Sequence, residues 1–185
     1  MNYLYEIEEY TADIAVEDYV AGFRDEGRFI ELCRQCSNYG NSWGCPPFDF
    51  DSGDFLRQYK YAHLIATKII PYENNIPFNK SRELVYSERL RIELKLLDLE
   101  KQYGGRAFTY VGSCLHCNGV ECRRKCNKPC LHPDKVRPSL EAFGFDITLT
   151  LSELFGIKLI WGNDGFLPEY LVLVSGFFHN NNCLR

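Results

Sequence analysis

Apolar and polar positions divide the chain into segments of different period. From Ser81 to Tyr103, Leu84, Leu90, Leu94, Leu97 and Tyr103 recur at helical spacing and predict one long helix. Ser81 or Asn79 is placed to cap its start, and Gly104-Gly105 to end it. Tyr61 to Ile70 (YAHLIATKII) is apolar and partly β-branched, which predicts a buried strand. Ala107 to Val111 and Tyr170 to Phe178 read as two more strands. Shorter helices are expected over Val16–Phe23, Arg28–Cys36, Pro138–Gly144 with a cap near Ser139, and Thr148–Phe155. Ser37 to Gly53, rich in Gly, Asn, Ser and Pro, reads as a loop. Three apolar strands among several helices predict an α+β or α/β fold. The expectation is a single small domain over residues 1–185, with a mixed sheet, one long helix and cysteine-rich loops inserted on it.

Composition agrees with a packed core and narrows the partners. Hydrophobic residues make up 45% and charged residues 25%, the balance of a globular protein. A formal charge of −4 provides no global basic field for nucleic acid or anionic lipid. The N-terminal stretch MNYLYEIEEYTADIAVEDY lacks the basic start and apolar run of a signal peptide. No apolar run is long enough to span a bilayer. The expected location is cytoplasmic, where thiols stay reduced.

Nine cysteines in a reducing compartment call for a use other than disulfides. Cys33, Cys36 and Cys45 form one block and Cys114, Cys117, Cys122, Cys126 and Cys130 a second. Cys183 stands apart in a polar tail and reads as a free thiol. Each Cys-x-x-Cys pair, Cys33/Cys36 and Cys114/Cys117, sets two sulfurs on one side of a turn, where one ion or cluster can take both. Gly40 and Gly44 let the backbone close around a large inorganic group. Pro46 drives Cys45 toward an extended conformation. Trp43 is placed to shield a cluster from water.

The second block has the style of the bacterial ferredoxin run, with looser spacing and Val120 where that run has its third cysteine. Three thiols and five make eight, enough for two four-cysteine sites if one sulfur crosses from the second block to the first. Cys122 and Cys126 are the candidates for that crossing. Alternatively, the first block keeps three thiolates and an open position for a substrate. All eight could equally hold two structural zinc ions. The dense spacing, with prolines soon after the last cysteine of each block, favours iron–sulfur.

Other side chains carry weaker signals. His116 and His132 lie beside ligand positions and could ligate, although a backbone-bonded or solvent-facing ring is commoner. His63, in a strand, reads as structural. Arg123, Arg124, Lys125, Lys128, Lys135 and Arg137 surround the second block. They form either a solvated loop that offsets cluster charge or a docking face for an acidic redox partner. An RNA-reading zinc knuckle would need aromatic stacking residues, and Cys114 to Cys130 contains none.

Cys33-x-x-Cys36, Asn38-Tyr39-Gly40, Trp43, Cys45-Pro46-Pro47, Cys114-x-x-Cys117, Cys130-x-x-Pro133 and the stretch Pro138 to Asp146 together resemble the pattern of a family of predicted metal-binding proteins, domain of unknown function 2284. The resemblance implies cysteine-bound metal and carries no activity with it. In that family the third cysteine of the second block lies closer to the Cys-x-x-Cys pair than Cys122 or Cys126 does here, so the resemblance does not say which of the two binds the local metal. Within Pro138 to Asp146, Glu141 and Asp146 are possible functional groups, and an acidic helix start explains Glu141 as well.

The expected function is therefore an iron–sulfur protein with one or two [4Fe–4S] clusters, bound by loops 33–47 and 112–137 acting together. It would transfer electrons in the cytoplasm with a redox protein partner. The alternatives are a cluster-dependent reductase acting on a small molecule at an open iron site, and a structural zinc protein.

Overall fold

A computed structural model describes residues 3–109, 112, 114–117 and 120–182. The expected free thiol Cys183 and the end of the strand expected to reach Val111 lie outside these residues. In chain order the elements are β1 (Tyr5–Ala15), α1 (Val16–Phe23), α2 (Glu26–Arg34), α3 (Ser52–Leu56), β2 (Tyr61–Pro71), α4 (Ser81–Tyr103), β3 (Arg106–Phe108), α5 (Ile147–Phe155) and β4 (Leu171–His179). The strands form one sheet in the order β1-β2-β4-β3. Every ladder in it is antiparallel, so the class is α+β and the sheet is not mixed.

The period of two along the strands sorts two cores onto the two faces of the sheet. Leu64, Ala66, Val174 and Phe178 face a core closed by α1, α5 and the Leu140–Phe145 segment. Ile65, Ile69, Leu173 and Phe177 face the other side, where Leu84, Ile92 and Leu96 of α4 cover them. Aromatic packing joins the first core: Tyr19 stacks on Phe145 with ring centroids 4.3 Å apart, and Phe108 meets Phe143 edge-on at 5.0 Å.

Two sequence expectations shift here. β1 was not among the expected strands. Its side chains are all at least partly exposed, and it carries Glu6, Glu8, Glu9 and Asp13. It is an edge strand, held by its ladder to β2 and by charge pairs. These include Glu8 to Lys68 at 2.9 Å, Glu9 to Arg91 and Lys95 at 2.9 and 2.8 Å, and Asp13 to His63 at 2.8 Å. The last of these gives His63 its structural role. In α4 the buried stripe is Leu84, Glu88, Ile92 and Leu96, whereas Leu94 is 69% exposed. The buried face thus carries acidic groups that a hydrophobic pattern does not count.

Gly104 and Gly105 end α4, both with positive φ. A Cβ at Gly105 would stand 2.4 Å from the Phe178 carbonyl oxygen, so this turn requires glycine.

In the first core, Tyr19 Oη and Thr150 Oγ1 are 2.9 Å apart and buried. Burial raises the Tyr19 phenol far above its ordinary range, so it stays neutral. Tyr19→Phe should lower stability by about 1 kcal/mol, because Thr150 Oγ1 keeps its bond to the Asp146 carbonyl. Denaturant titration should show a lower midpoint with an unchanged slope. An unchanged midpoint would show that this hydrogen bond adds nothing.

Candidate metal centre

The first block is built from tight turns that begin at its own cysteines. Cys36 N–H donates to the Cys33 carbonyl at 2.9 Å, Tyr39 N–H to Cys36 at 3.1 Å, and Cys45 N–H to Ser42 at 3.1 Å. Gly40, at φ 67°, donates to the Pro46 carbonyl at 2.8 Å and closes the loop. Cys33 rides on the last turn of α2, and that helix is seated by the Pro138–Asp146 stretch. Asp25 N–H donates to the Gly144 carbonyl at 2.9 Å, Asp146 N–H to Phe23 at 2.8 Å, and Arg24 Nε to Phe143 at 2.8 Å. A Cβ at Gly144 would lie 2.8 Å from Glu26 Cα. The stretch that carries no cysteine therefore fixes where Cys33 sits.

The thiols of this block act on one another. Burial, then Cys36, then Glu141 push the Cys33 thiol up. Burial, opposed by a hydrogen bond from Ser42 and reinforced by Cys36 and Cys33, pushes Cys45 up to about 11. The Glu141 carboxyl is also pushed up by burial, and its Oε2 has no hydrogen-bond partner among the described residues.

In the second block, Cys114, Cys117, Cys122 and Cys130 line one cavity of about 250 Å³, together with Trp43 of the first block. The Cys117 thiol is pushed up by burial and then by Cys114, Cys122 and Cys130. The Cys117 thiol, displaced this way, keeps its proton until a cation replaces it. Cys126 ends the turn Arg123–Cys126, is exposed, and does not line the cavity. Among the described residues no three His, Cys, Asp or Glu side chains stand close enough to hold a single metal ion. All four thiols line the same cavity.

Two arginines join the parts. The Arg124 guanidinium donates to the Ser42 carbonyl at 2.6 Å and also to those of Cys45 and Pro47, and it stacks over the Trp43 ring at 5.1 Å. Trp43 Nε1 donates in return to the Lys128 carbonyl at 3.1 Å. The two blocks, far apart in sequence, are thus in direct contact. Arg137 pairs with Glu100 of α4 at 2.6 Å and donates to the carbonyls of Asp134 and Val136 at 2.9 and 2.8 Å. Of the six basic residues around the block, these two point inward. Lys125, Lys128 and Lys135 are exposed.

The histidines separate in role. His116 Nε2 stands 2.7 Å from Glu93 Oε1 of α4. Burial raises the Glu93 carboxyl and lowers His116, moving each toward its neutral form. Glu93 and Glu100 are seven residues apart, close to two turns, so α4 offers both carboxylates on one face to the second block. The His132 backbone N–H points at Cys130 Sγ at 3.3 Å, the kind of N–H···S contact that tunes a metal-bound sulfur. Sequence reasoning missed Glu93, Glu100 and the inward role of Arg124. The available signal was their acidic and basic character at positions a packed helix and loop would bury.

No helix among the described residues is long and apolar enough to cross a membrane. No curated protein and no solved structure matches the chain. One family does match, over residues 20–174, described as "Predicted metal-binding protein". That span covers most of the chain and takes in all eight clustered cysteines, and the chain belongs to this family, domain of unknown function 2284.

Proposed function

We propose that Cys114, Cys117, Cys122 and Cys130 hold a [4Fe–4S] cluster and that the protein passes single electrons to or from a protein partner in the cytoplasm. The observation that carries this is the set of four thiols lining one cavity. The dense cysteine spacing, with a proline soon after Cys130, favours iron–sulfur over zinc. The bound cluster would supply one-electron chemistry. Trp43 would limit water access and the His132 N–H would stabilise charge on Cys130. In this reading loops 33–47 and 112–137 work as one metal-binding part. The exposed Lys125, Lys128 and Lys135 would meet an acidic partner.

A second reading is favoured by the first block. Its three thiols, Cys33, Cys36 and Cys45, lie along one run of tight turns, and drawn in by a metal they would leave one position for a non-cysteine ligand or a small molecule. That would make the protein a reductase. A structural zinc protein is the remaining alternative.

Anaerobic purification followed by iron, sulfide and zinc analysis tests the first reading. Brown protein with at least about four irons and matching acid-labile sulfide per chain is the expected result. Colourless protein with stoichiometric zinc from the same preparation would overturn it. Aerobic protein is a poor sample, since zinc fills vacated thiolates.

A further inference from the structure

Beside the cysteine cavity lies a second one of about 420 Å³, with a different character. Its wall is aromatic: Phe48, Phe50, Phe55 and Phe143 line it, with Trp43 at the side shared with the cysteines. The four phenylalanines touch in sequence, Phe48 to Phe50 at 5.1 Å, Phe50 to Phe55 at 5.2 Å and Phe55 to Phe143 at 5.5 Å between centroids. Phe50 and Trp43 remain 45% and 36% exposed at the opening. Exposed rings around a concavity of this size are what a small-molecule site presents.

One charged side chain reaches this wall. Arg106 of β3 lines the cavity, with its guanidinium 5.9 Å from the Phe55 ring centroid. Its Nε is buried and has no hydrogen-bond partner among the described residues. The nearby carboxylate, Glu100, is engaged by Arg137 through both Nε and Nη2. Two guanidinium groups thus share the neighbourhood of one carboxylate, and Arg137 has taken it. A buried Nε left unpaired in this way costs free energy that an incoming acceptor would recover.

We propose that this cavity binds a ring-bearing carboxylate, its ring against the phenylalanines and its carboxylate on Arg106. The planar guanidinium fork matches a carboxylate in two parallel hydrogen bonds. Cys130 lines both cavities, so the ligand would sit next to the four thiols. The proposal concerns binding alone and does not depend on which metal the thiols take.

Calorimetric titration of the anaerobically purified full chain tests it, with 1-naphthylacetate and its neutral isostere 1-naphthylacetamide as probes. The acid should bind at least about tenfold more tightly than the amide, the worth of a charge-assisted bond. Acetate, which has no ring, should not compete at equal concentration. Arg106→Gln should bring the two affinities within about threefold by weakening the acid only. Phe50→Ala, at the exposed opening, should weaken acid and amide together and keep their ratio. Equal binding of acid and amide to the unaltered chain would overturn the proposal, as would no binding of either. An acid preference that survives Arg106→Gln would also overturn it. Metal content of each sample, measured separately, keeps failure of this site distinct from failure of the metal reading.

Discussion

Glu100→Ala should destabilise the protein by about 3–5 kcal/mol, a large share of what holds a domain of this size together. Glu100 and Arg137 are nearly buried, with side chains 12% and 8% exposed, and they meet in two-pronged fashion. Removing the carboxylate strands one guanidinium inside the protein with a second, Arg106, close by. It also frees the segment after Cys130, because Arg137 is the group that gathers the Asp134 and Val136 carbonyls. Hydrogen exchange should therefore rise first over residues 130–137, and metal content should fall with it. Glu83→Gln, in an exposed pair with Lys80, should leave the denaturation midpoint unchanged. In a double-mutant cycle with Arg137→Met, the coupling should exceed about 1 kcal/mol. Additive losses would mean that the pair is a surface contact and that α4 does not anchor the second block.

The residues just named explain how far the sequence could be read. Where burial is apolar, pattern suffices: α1, α4 and β2 fall within a residue of their expected bounds, because their period and breakers are strong. Where elements are held by charge, pattern is blind. β1 buries little and is fixed by Glu8, Glu9 and Asp13 reaching across to β2 and α4. In α4 the leucine periodicity pointed to a face that includes Leu94, yet the buried face is completed by Glu88 and Glu93. Those acids are buried because each has a partner far along the chain, Tyr5 for Glu88 and His116 for Glu93. No local window contains both halves of such a pair.

The cysteine blocks were legible for the opposite reason. Thiols at two- to four-residue spacing announce themselves without tertiary information, and the matching family spans them. What spacing could not supply was their grouping. Counting predicted two sets of four with one sulfur crossing. The structure lines one cavity with Cys114, Cys117, Cys122 and Cys130, sets Cys33, Cys36 and Cys45 along a separate run of turns, and leaves Cys126 exposed. The basic run around them was equally ambiguous on paper. Arg124 became a clasp only because its turn brings it to three carbonyls of the first block.

Cys117→Ala and Cys126→Ala should therefore differ sharply, although the two lie nine residues apart in the same block. Cys117 faces three other thiols across a shared cavity, and ligation by all four would fix a loop that has little apolar surface of its own. Losing one of four thiolates should remove most of the iron and sulfide bound by the second block, so total content should fall by about half or more if both blocks are loaded. Limited proteolysis should then open the chain within residues 112–137, where the loop no longer has a metal to fold around. Cys126 lies outside the cavity on an exposed turn. Its replacement should leave iron, sulfide and protease resistance near their starting values. Equal losses in the two variants would show that Cys126 is a ligand, completing the first block from across the chain. That outcome would give the first block its fourth thiolate, close the open position, and leave electron transfer as the function both blocks support.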